Sequence, residues 1–67
     1  MKKVRIDRIK FATELVKRDL TQKEFSELSG VSRQTISYIR GGKSCSDAVG
    51  CKIANALGVK IEDLLEH

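Results

Sequence analysis

The fold is decided by residues 21–42, which read TQKEFSELSGVSRQTISYIRGG. The first four residues of this stretch have the pattern of a capping box. In that motif the Thr21 hydroxyl accepts from the backbone N–H of Glu24, and the Glu24 carboxylate accepts from the backbone N–H of Thr21. A helix is therefore predicted to begin here, with Phe25 and Leu28 facing inward.

A second helix is predicted after a glycine turn. Gly30 suits the end of the preceding helix, because the turn there needs a positive φ that glycine adopts at little cost. Ser32 is the candidate N-cap of the next helix, predicted from residue 33 to about residue 40 with Ile36 and Ile39 inward. Two short helices joined by such a turn form a helix-turn-helix, whose second helix enters the major groove of DNA.

Helical spacing continues on the N-terminal side of this segment. Apolar and small residues recur there in steps of three and four, which predicts an amphipathic helix over about 5–19. The side chains predicted to face inward are Ile6, Ile9, Thr13, Val16 and Leu20, with Ala12 and Leu15 alongside.

The C-terminal side predicts two further helices. Ser46 can cap a fourth helix that ends at Gly58, and Asp47 suits its first turn. Its predicted inward residues are Val49 or Gly50, Ile53, Ala54 and Leu57. A short last helix is predicted over about 61–66. Strands are not expected, because the chain has no proline and no alternating polar and apolar run. The predicted fold is all-α, a compact bundle of five short helices.

The length and composition of the chain limit the classes of protein to which it can belong. The 67 residues form a single predicted domain over 1–67. A domain of that size buries only about 60% of the surface exposed by its unfolded chain, which leaves no room for a deep catalytic cleft. No apolar run approaches the roughly 20 residues of a membrane helix, and the N-terminus does not resemble a secretory signal. We therefore expect a cytoplasmic protein without membrane association.

The two cysteines, Cys45 and Cys51, do not change this expectation. A lone C-x5-C lacks the further ligands of a zinc site, and His67, the only histidine, is the last residue. No metal and no cofactor are expected. Cys51 is predicted to lie inward or half-inward as a small hydrophobic residue, with a disulfide or redox role of the pair as the alternative.

The charge is unevenly distributed. The net charge is +4, residues 28–46 contain no acid, and residues 1–10 carry five cations against Asp7 alone. After residue 52 the acids Glu62, Asp63 and Glu66 face only Lys60. This asymmetry suits a protein that presents one face to a polyanion. Judged by charge alone, an ordinary surface of solvated lysines is an equally good interpretation.

The chain resembles the phage-repressor class of helix-turn-helix regulators, which contains lambda repressor and Cro and is also called xenobiotic-response-element-type. The matching motifs are TQKEF, SGVSRQTIS, IRGGK and IANALGVKIEDLL, in order over about 6–65. The resemblance implies a lambda-repressor-like domain with its helix-turn-helix at about 21–40. It also implies a transcriptional regulator, most often a repressor, that binds double-stranded DNA as a homodimer.

The resemblance implies that Arg33, Gln34, Ser37 and Tyr38 read the bases. Helical steps of four place them on one surface, opposite the two inward isoleucines. Arginine can bond guanine O6 and N7, and glutamine can bond adenine N6 and N7. The alternatives are a solvated helix face and, for Tyr38, packing on the sugar-phosphate backbone.

The resemblance further implies contacts to DNA phosphates. The implied residues are Thr21, Gln22, Ser32, Arg40, Lys43 and Ser44. Gln22 opens a helix whose free N–H groups and dipole attract anions, and simple capping is the alternative for Thr21 and Gln22. Residues 1–5 form a basic arm with Lys2, Lys3 and Arg5, which either touches DNA or is flexible.

The chain departs from the family pattern at several positions. Leu15 and Arg40 stand where many members have an arginine and a glutamate that form an ion pair, so Arg40 is free for phosphate. Ser26 replaces a common alanine, and its hydroxyl needs a partner, such as a carbonyl one turn back. Lys60 replaces a capping serine, which weakens the last helix, and Cys45 stands where proline is common.

Two further interpretations stay open at this level. Ile61, Leu64 and Leu65 either join two subunits or close the core of one. An antitoxin or adaptor that holds a protein partner is the alternative function, although it gives no reason for residues 28–46 to lack acids. An enzyme is not expected, because no histidine lies beside a nucleophile and no phosphate-cradling glycine loop is present. No small-molecule ligand is expected either.

Overall fold

The computed structural model describes residues 3–66. Its helices are α1 (Arg8–Lys17), α2 (Gln22–Ser29), α3 (Arg33–Arg40), α4 (Asp47–Leu57) and a 3-10 helix, Ile61–Asp63. Two short strands, β1 (Lys3–Val4) and β2 (Cys45–Ser46), pair antiparallel with Lys3 opposite Ser46 and Val4 opposite Cys45. No helix in the part of the chain that is described is long and apolar enough to cross a membrane.

Local capping sets where the helices begin. Both halves of the predicted capping box at Thr21 are present, and the Ser32 and Ser46 side chains cap α3 and α4 as predicted. Helix α1 begins three residues later than predicted. The reason is that the Asp7 side chain accepts from the N–H groups of Ile9 and Lys10 and so forms an N-cap before Arg8.

One apolar core joins all four helices. Its buried residues are Ile6, Phe11, Leu15, Phe25, Val31, Ile36, Ile39, Cys45, Ile53, Ala54, Leu57 and Leu64. The rings of Phe11 and Phe25 meet edge to face with their centroids 5.4 Å apart, which ties α1 to α2. The predicted inward faces of α3 and α4 are confirmed.

The predicted inward face of α1 was wrong at three positions, although Ile6 and Leu15 from the same predicted set are buried. Ile9 and Val16 are 72% and 80% exposed, and Thr13 is also exposed. The buried side chains of α1 are instead Phe11 and Leu15, which lie one turn apart. Apolar residues occupy both sides of this helix, and the side that carries the large aromatic ring is the one that packs into the core.

The prediction for Leu28 in α2 was also wrong, since its side chain is 59% exposed. The covered side of α2 follows positions 22, 25, 26 and 29, where polar residues accompany Phe25. The Ser26 hydroxyl donates to the Val31 carbonyl at 2.7 Å, five residues ahead rather than one turn back. The Ser29 hydroxyl donates to the Phe25 carbonyl at 2.8 Å. Local hydrogen bonds therefore let serines occupy an inward face.

The N-terminal segment forms a strand, which the sequence did not predict. Beyond the β1–β2 pairing, Ile6 bridges Leu65, and the Asp7 N–H donates to the Leu64 carbonyl at 2.6 Å. Backbone hydrogen bonds therefore join residues 3–5 to β2 and to the C-terminal segment. Met1, Lys2 and His67 lie outside the described residues.

Two predictions near the C-terminus need correction. The last helix is a single 3-10 turn, Ile61–Asp63, rather than a helix over 61–66, and Lys60 provides no side-chain cap for it. Within residues 3–66 the fold therefore has four α-helices and a 3-10 turn instead of five helices. Cys51 is exposed on α4 rather than inward, because the buried face of that helix passes through Gly50 and Ile53.

Candidate nucleic-acid interface

Helix α3 presents one polar face to solvent. Ile36 and Ile39 are both 0% exposed on its inner side, and they anchor the helix in the core. The four predicted base-reading residues are all exposed on the outer side, and they are Arg33, Gln34, Ser37 and Tyr38. We refer to these four as the α3 face. The structure brings them together as the sequence predicts.

Tyr38 connects the α3 face to the loop that follows it. The Gln34 side-chain amide donates to the Tyr38 hydroxyl at 3.3 Å. From the other direction the Lys43 ammonium lies 4.8 Å from the centroid of the Tyr38 ring, in a cation–π contact. The Lys43 N–H also donates to the Tyr38 carbonyl at 3.1 Å. The phenol ring is thus held in one orientation beside the loop.

Arg33 stands at the exposed start of the α3 face. Among the residues that the structure describes, none accepts a hydrogen bond from its guanidinium. Its donors are therefore available to an external acceptor, and they lie in the first turn of α3, where a recognition helix meets base edges.

The residues that cap the helices near this face differ in how many of their hydrogen-bonding groups are already used within the protein. The Thr21 hydroxyl accepts from the Glu24 N–H at 3.1 Å, which leaves its own hydrogen for an outside acceptor. Gln22, the first residue of α2, is half-buried. The Ser32 hydroxyl accepts from the Thr35 N–H at 3.2 Å and donates to the Thr35 hydroxyl at 2.8 Å. Because the Ser32 hydroxyl already donates its hydrogen to Thr35, it is a weaker candidate than Thr21 for donating to a DNA phosphate.

The loop after α3 carries the remaining predicted phosphate contacts. Arg40, Lys43 and Ser44 are all exposed. The loop turns at Gly42, whose φ of +91° favours glycine over residues with a side chain. Exposed basic and hydroxyl groups on a tight turn can approach a phosphodiester backbone closely.

Arg8 lies beside this loop, and the sequence reasoning assigned it no role. Its Cδ is 4.0 Å from where a Cβ on Gly42 would lie, and the residue is exposed at the first turn of α1. The basic composition of residues 1–10 was the available signal. That signal did not distinguish Arg8 from its neighbours, because proximity to Gly42 depends on how α1 packs against α3.

DNA contact was one of the two alternatives for the arm that includes Arg5, and the Arg5 guanidinium is engaged within the protein. It donates to the Gly42 carbonyl at 2.9 Å, and its Nε lies 3.2 Å from the Glu66 carboxylate. The acidic tail is therefore paired with Arg5 at this position, and the α3 face remains exposed.

The three residues suggested for subunit contact contribute mainly to the protomer itself. Leu64 is 1% exposed and belongs to the core, which is the second of the two alternatives for it. Ile61 and Leu65 are half-buried and pack against the core. Dimerisation stays a prediction, with Ile61 and Leu65 as the members of this set that keep some surface.

No group of three or more metal-ligating side chains occurs within residues 3–66. The Cys45 thiol is buried, and the Cys51 thiol is exposed. Burial raises the pKa of the Cys45 thiol, and the neighbouring Asp47 carboxylate raises it further.

Sequence comparisons place these features in a family context. A helix-turn-helix family model matches residues 12–64. An uncharacterised HTH-type transcriptional regulator of Methanocaldococcus jannaschii is 49% identical over 47 residues, which cover 69% of this chain and 71% of that protein.

Solved structures share the fold. The crystal structure of the transcriptional regulator VanUg matches with a TM-score of 0.78 and 26% identity, over 98% of this chain and 88% of that one. A hydroxyethylphosphonate dioxygenase variant matches with a TM-score of 0.82 and 25% identity over 94% of this chain. The match spans only 14% of the dioxygenase, so the same fold forms a small part of that larger protein.

Proposed function

This chain belongs to the phage-repressor-like helix-turn-helix family, and on that premise we propose that it is a sequence-specific repressor that inserts α3 into the major groove of DNA. One observation carries the proposal. Four polar side chains stand exposed on α3, while Ile36 and Ile39 on the opposite side are 0% exposed. A helix anchored in this way can enter the major groove of DNA while its apolar side chains stay packed in the core.

Base reading is assigned first to Arg33 and Gln34, in the first turn of α3. The guanidinium of Arg33, which pairs with none of the described residues, fits the O6 and N7 acceptors of guanine, and the Gln34 amide fits the N6 and N7 of adenine. Ser37 and Tyr38 follow one turn later. Because Tyr38 is held between Gln34 and Lys43, its ring is preorganised at the border between base contacts and backbone contacts.

Phosphate contacts position the protein without reading sequence. On one side of α3 they come from the N-terminus of α2, where Thr21 keeps a free hydroxyl hydrogen. On the other side they come from Arg40, Lys43 and Ser44. The structure supports adding Arg8 to this second group, since it is exposed beside Gly42.

The proposed DNA complex is a homodimer. One recognition helix covers only a few base pairs, whereas two helices about 34 Å apart read a near-palindromic operator with useful specificity. The proposed role is DNA binding and includes no catalytic step.

Selection of bound sequences from random duplex DNA at a stated salt concentration tests the proposal. The expected result is a symmetric motif whose half-sites lie about one helical turn apart. An Arg33→Ala variant should lose part of that motif, and a Lys52→Ala variant, which removes an exposed cation from α4, should retain it. If no sequence were enriched, sequence-specific binding would have to be abandoned.

A second candidate function is the holding of a protein partner, as in an antitoxin or adaptor. A specific observation favours it as an addition to DNA binding. Ile9 and Val16 are large apolar side chains left exposed on α1, away from the α3 face.

A further inference from the structure

An open groove of about 550 Å³ runs along the outer side of α1 beside the end of α3. Its floor consists of Ile9, Ala12, Thr13 and Val16. Ile9 and Val16 are 72% and 80% exposed, the two highest values among the large apolar side chains that the structure describes. Isolated exposed apolar residues are ordinary, but an apolar row along one helix face is typical of an interaction surface.

The rim of this groove is entirely basic. It is formed by Arg8, Lys17 and Arg40, and no acid lines it. The nearest acid to Lys17 is Glu14, whose carboxylate is 3.9 Å from the Lys17 ammonium and only 2.8 Å from the Arg18 guanidinium. Glu14 lines a smaller groove that adjoins the first one, shares Ile9, Thr13 and Lys17 with it, and also includes Asp63. The border of the apolar floor is therefore cationic toward α3, where Arg8 and Arg40 lie, and acids occur only beyond its opposite edge.

We propose that this groove binds an acidic amphipathic segment of a protein partner. Apolar side chains of the segment would cover Ile9 and Val16, and its carboxylates would meet the three rim cations. The rise from residue 8 to residue 17 is about 14 Å, which matches two to three turns of a docked helix. Such helices present apolar anchors at positions i, i+3, i+4 and i+7.

A second copy of this chain fits the groove less well. Antiparallel pairing of two α1 helices would set Ile9 against Val16 of the other copy, which is favourable. The same pairing sets Arg8 against Lys17 twice, and juxtaposed like charges oppose association. Nucleic acid would use the cations but would leave Ile9 and Val16 in water.

Arg40 lines this groove and is also among the proposed phosphate contacts. A bound acidic segment would neutralise Arg40 and so reduce the affinity for DNA. By linkage, bound DNA would reduce the affinity for the segment by the same factor. Peptide binding in the groove does not depend on whether the protein binds DNA.

The test is to select binders from a random peptide library of about twelve residues, displayed on phage, against the full chain in the absence of DNA. We expect enriched peptides with apolar residues at helical spacing flanked by Asp and Glu. A variant that combines Ile9→Ser and Val16→Ser should bind them at least about tenfold more weakly. Leu28→Ser, which removes an exposed apolar side chain from α2, should bind them unchanged. Circular dichroism should show the same helix content in both variants, since all three side chains are exposed.

Several results would overturn the proposal. They are the absence of enrichment, enrichment of peptides without acids, and equal binding to the double variant. If sedimentation showed that the double variant converts a dimer to a monomer, the occupant would be a second copy. If the variant lost affinity for duplex DNA but not for the peptides, the surface would belong to the DNA interface. Because the peptide selection contains no DNA, a failure to enrich acidic peptides would not affect the proposal of DNA binding, which is tested separately by selection from random duplex DNA.

Discussion

The Arg5 guanidinium donates a hydrogen bond of 2.9 Å to the carbonyl of Gly42, 37 residues further along the chain. The same side chain pairs with Glu66 at 3.2 Å, and the Glu66 N–H donates to the Arg5 carbonyl at 3.0 Å. The N-terminal segment thus links the C-terminal residues to the loop that we assign to the DNA backbone. Arg5 is a positioning residue for that loop.

Replacing Arg5 with alanine should weaken binding to every duplex to a similar degree, by less than about 1 kcal/mol, because one hydrogen bond contributes about that much to the stability of the fold and only part of it is needed to order the loop. The reason is a less ordered turn at Gly42 rather than a lost phosphate contact. The slope of log K against log salt should therefore stay nearly unchanged. Fluorescence anisotropy over a salt series measures both quantities, with Lys52→Ala as the control for lost charge. A slope lower by about one unit would show that Arg5 contacts phosphate directly.

Replacing Arg33 with alanine should cost about 1–3 kcal/mol on the selected operator and relax the preference at one base position. On random duplex the effect should be much smaller, because the loss lies mainly in base reading. Repeating the sequence selection with the variant measures the relaxation. An unchanged motif would remove Arg33 from the base-reading residues.

Replacing Lys43 with alanine should affect DNA binding in a different way from Arg33→Ala, because Lys43 is proposed to contact phosphate rather than bases. Affinity should fall about equally for operator and random duplex, and the salt slope should decrease by about one unit. Lys43 also lies over the ring of Tyr38, so Lys43→Met, which keeps much of the side chain without the charge, separates the two effects. If the methionine variant bound like the parent, the ammonium would not be a phosphate contact.

Much of the helix-turn-helix was predictable from sequence because local interactions determine it. The caps at Thr21 and Ser32 involve residues three apart, and they set the starts of α2 and α3 whatever surrounds them. The α3 face was predictable for the same reason. A helical repeat that buries Ile36 and Ile39 leaves the residues on the other side exposed.

The features that sequence reasoning missed depend on contacts between distant residues. Helix α1 has apolar residues on two sides, and the packing of Phe11 on Phe25 decides which side is buried. The β1–β2 pairing joins segments about forty residues apart with two residues each, too short for a periodic signal. Arg8 is a site candidate because of its distance to Gly42, which the sequence does not give.

The two cysteines should differ in their reaction with iodoacetamide. Cys51 is exposed and should react first, whereas Cys45 is buried and has a raised pKa, so less of its reactive thiolate is present at any given pH. Mass spectrometry of the folded protein should show one fast and one slow site. The slow site should accelerate as the pH rises toward the raised pKa of Cys45, and in urea both sites should react alike. Faster labelling of Cys45 in the folded protein would contradict its buried position.

Gly50 should resist replacement although it lies within α4, where alanine is favoured over glycine by about 1 kcal/mol. A Cβ at this position would lie 2.9 Å from Ile61 Cδ1 and 3.1 Å from Val4 Cγ2. Overpacking costs about 1–3 kcal/mol where the neighbours cannot move, and a shift of the end of the half-buried Ile61 side chain relieves part of it, so Gly50→Ala should lower the free energy of unfolding by no more than about 1 kcal/mol net. Ile61→Val removes the closer atom, and in that background the same replacement should be nearly neutral. Urea unfolding of the four proteins completes the double-mutant cycle. If Gly50→Ala cost the same with Val at position 61, the contact with Ile61 would not be the reason that glycine is needed there.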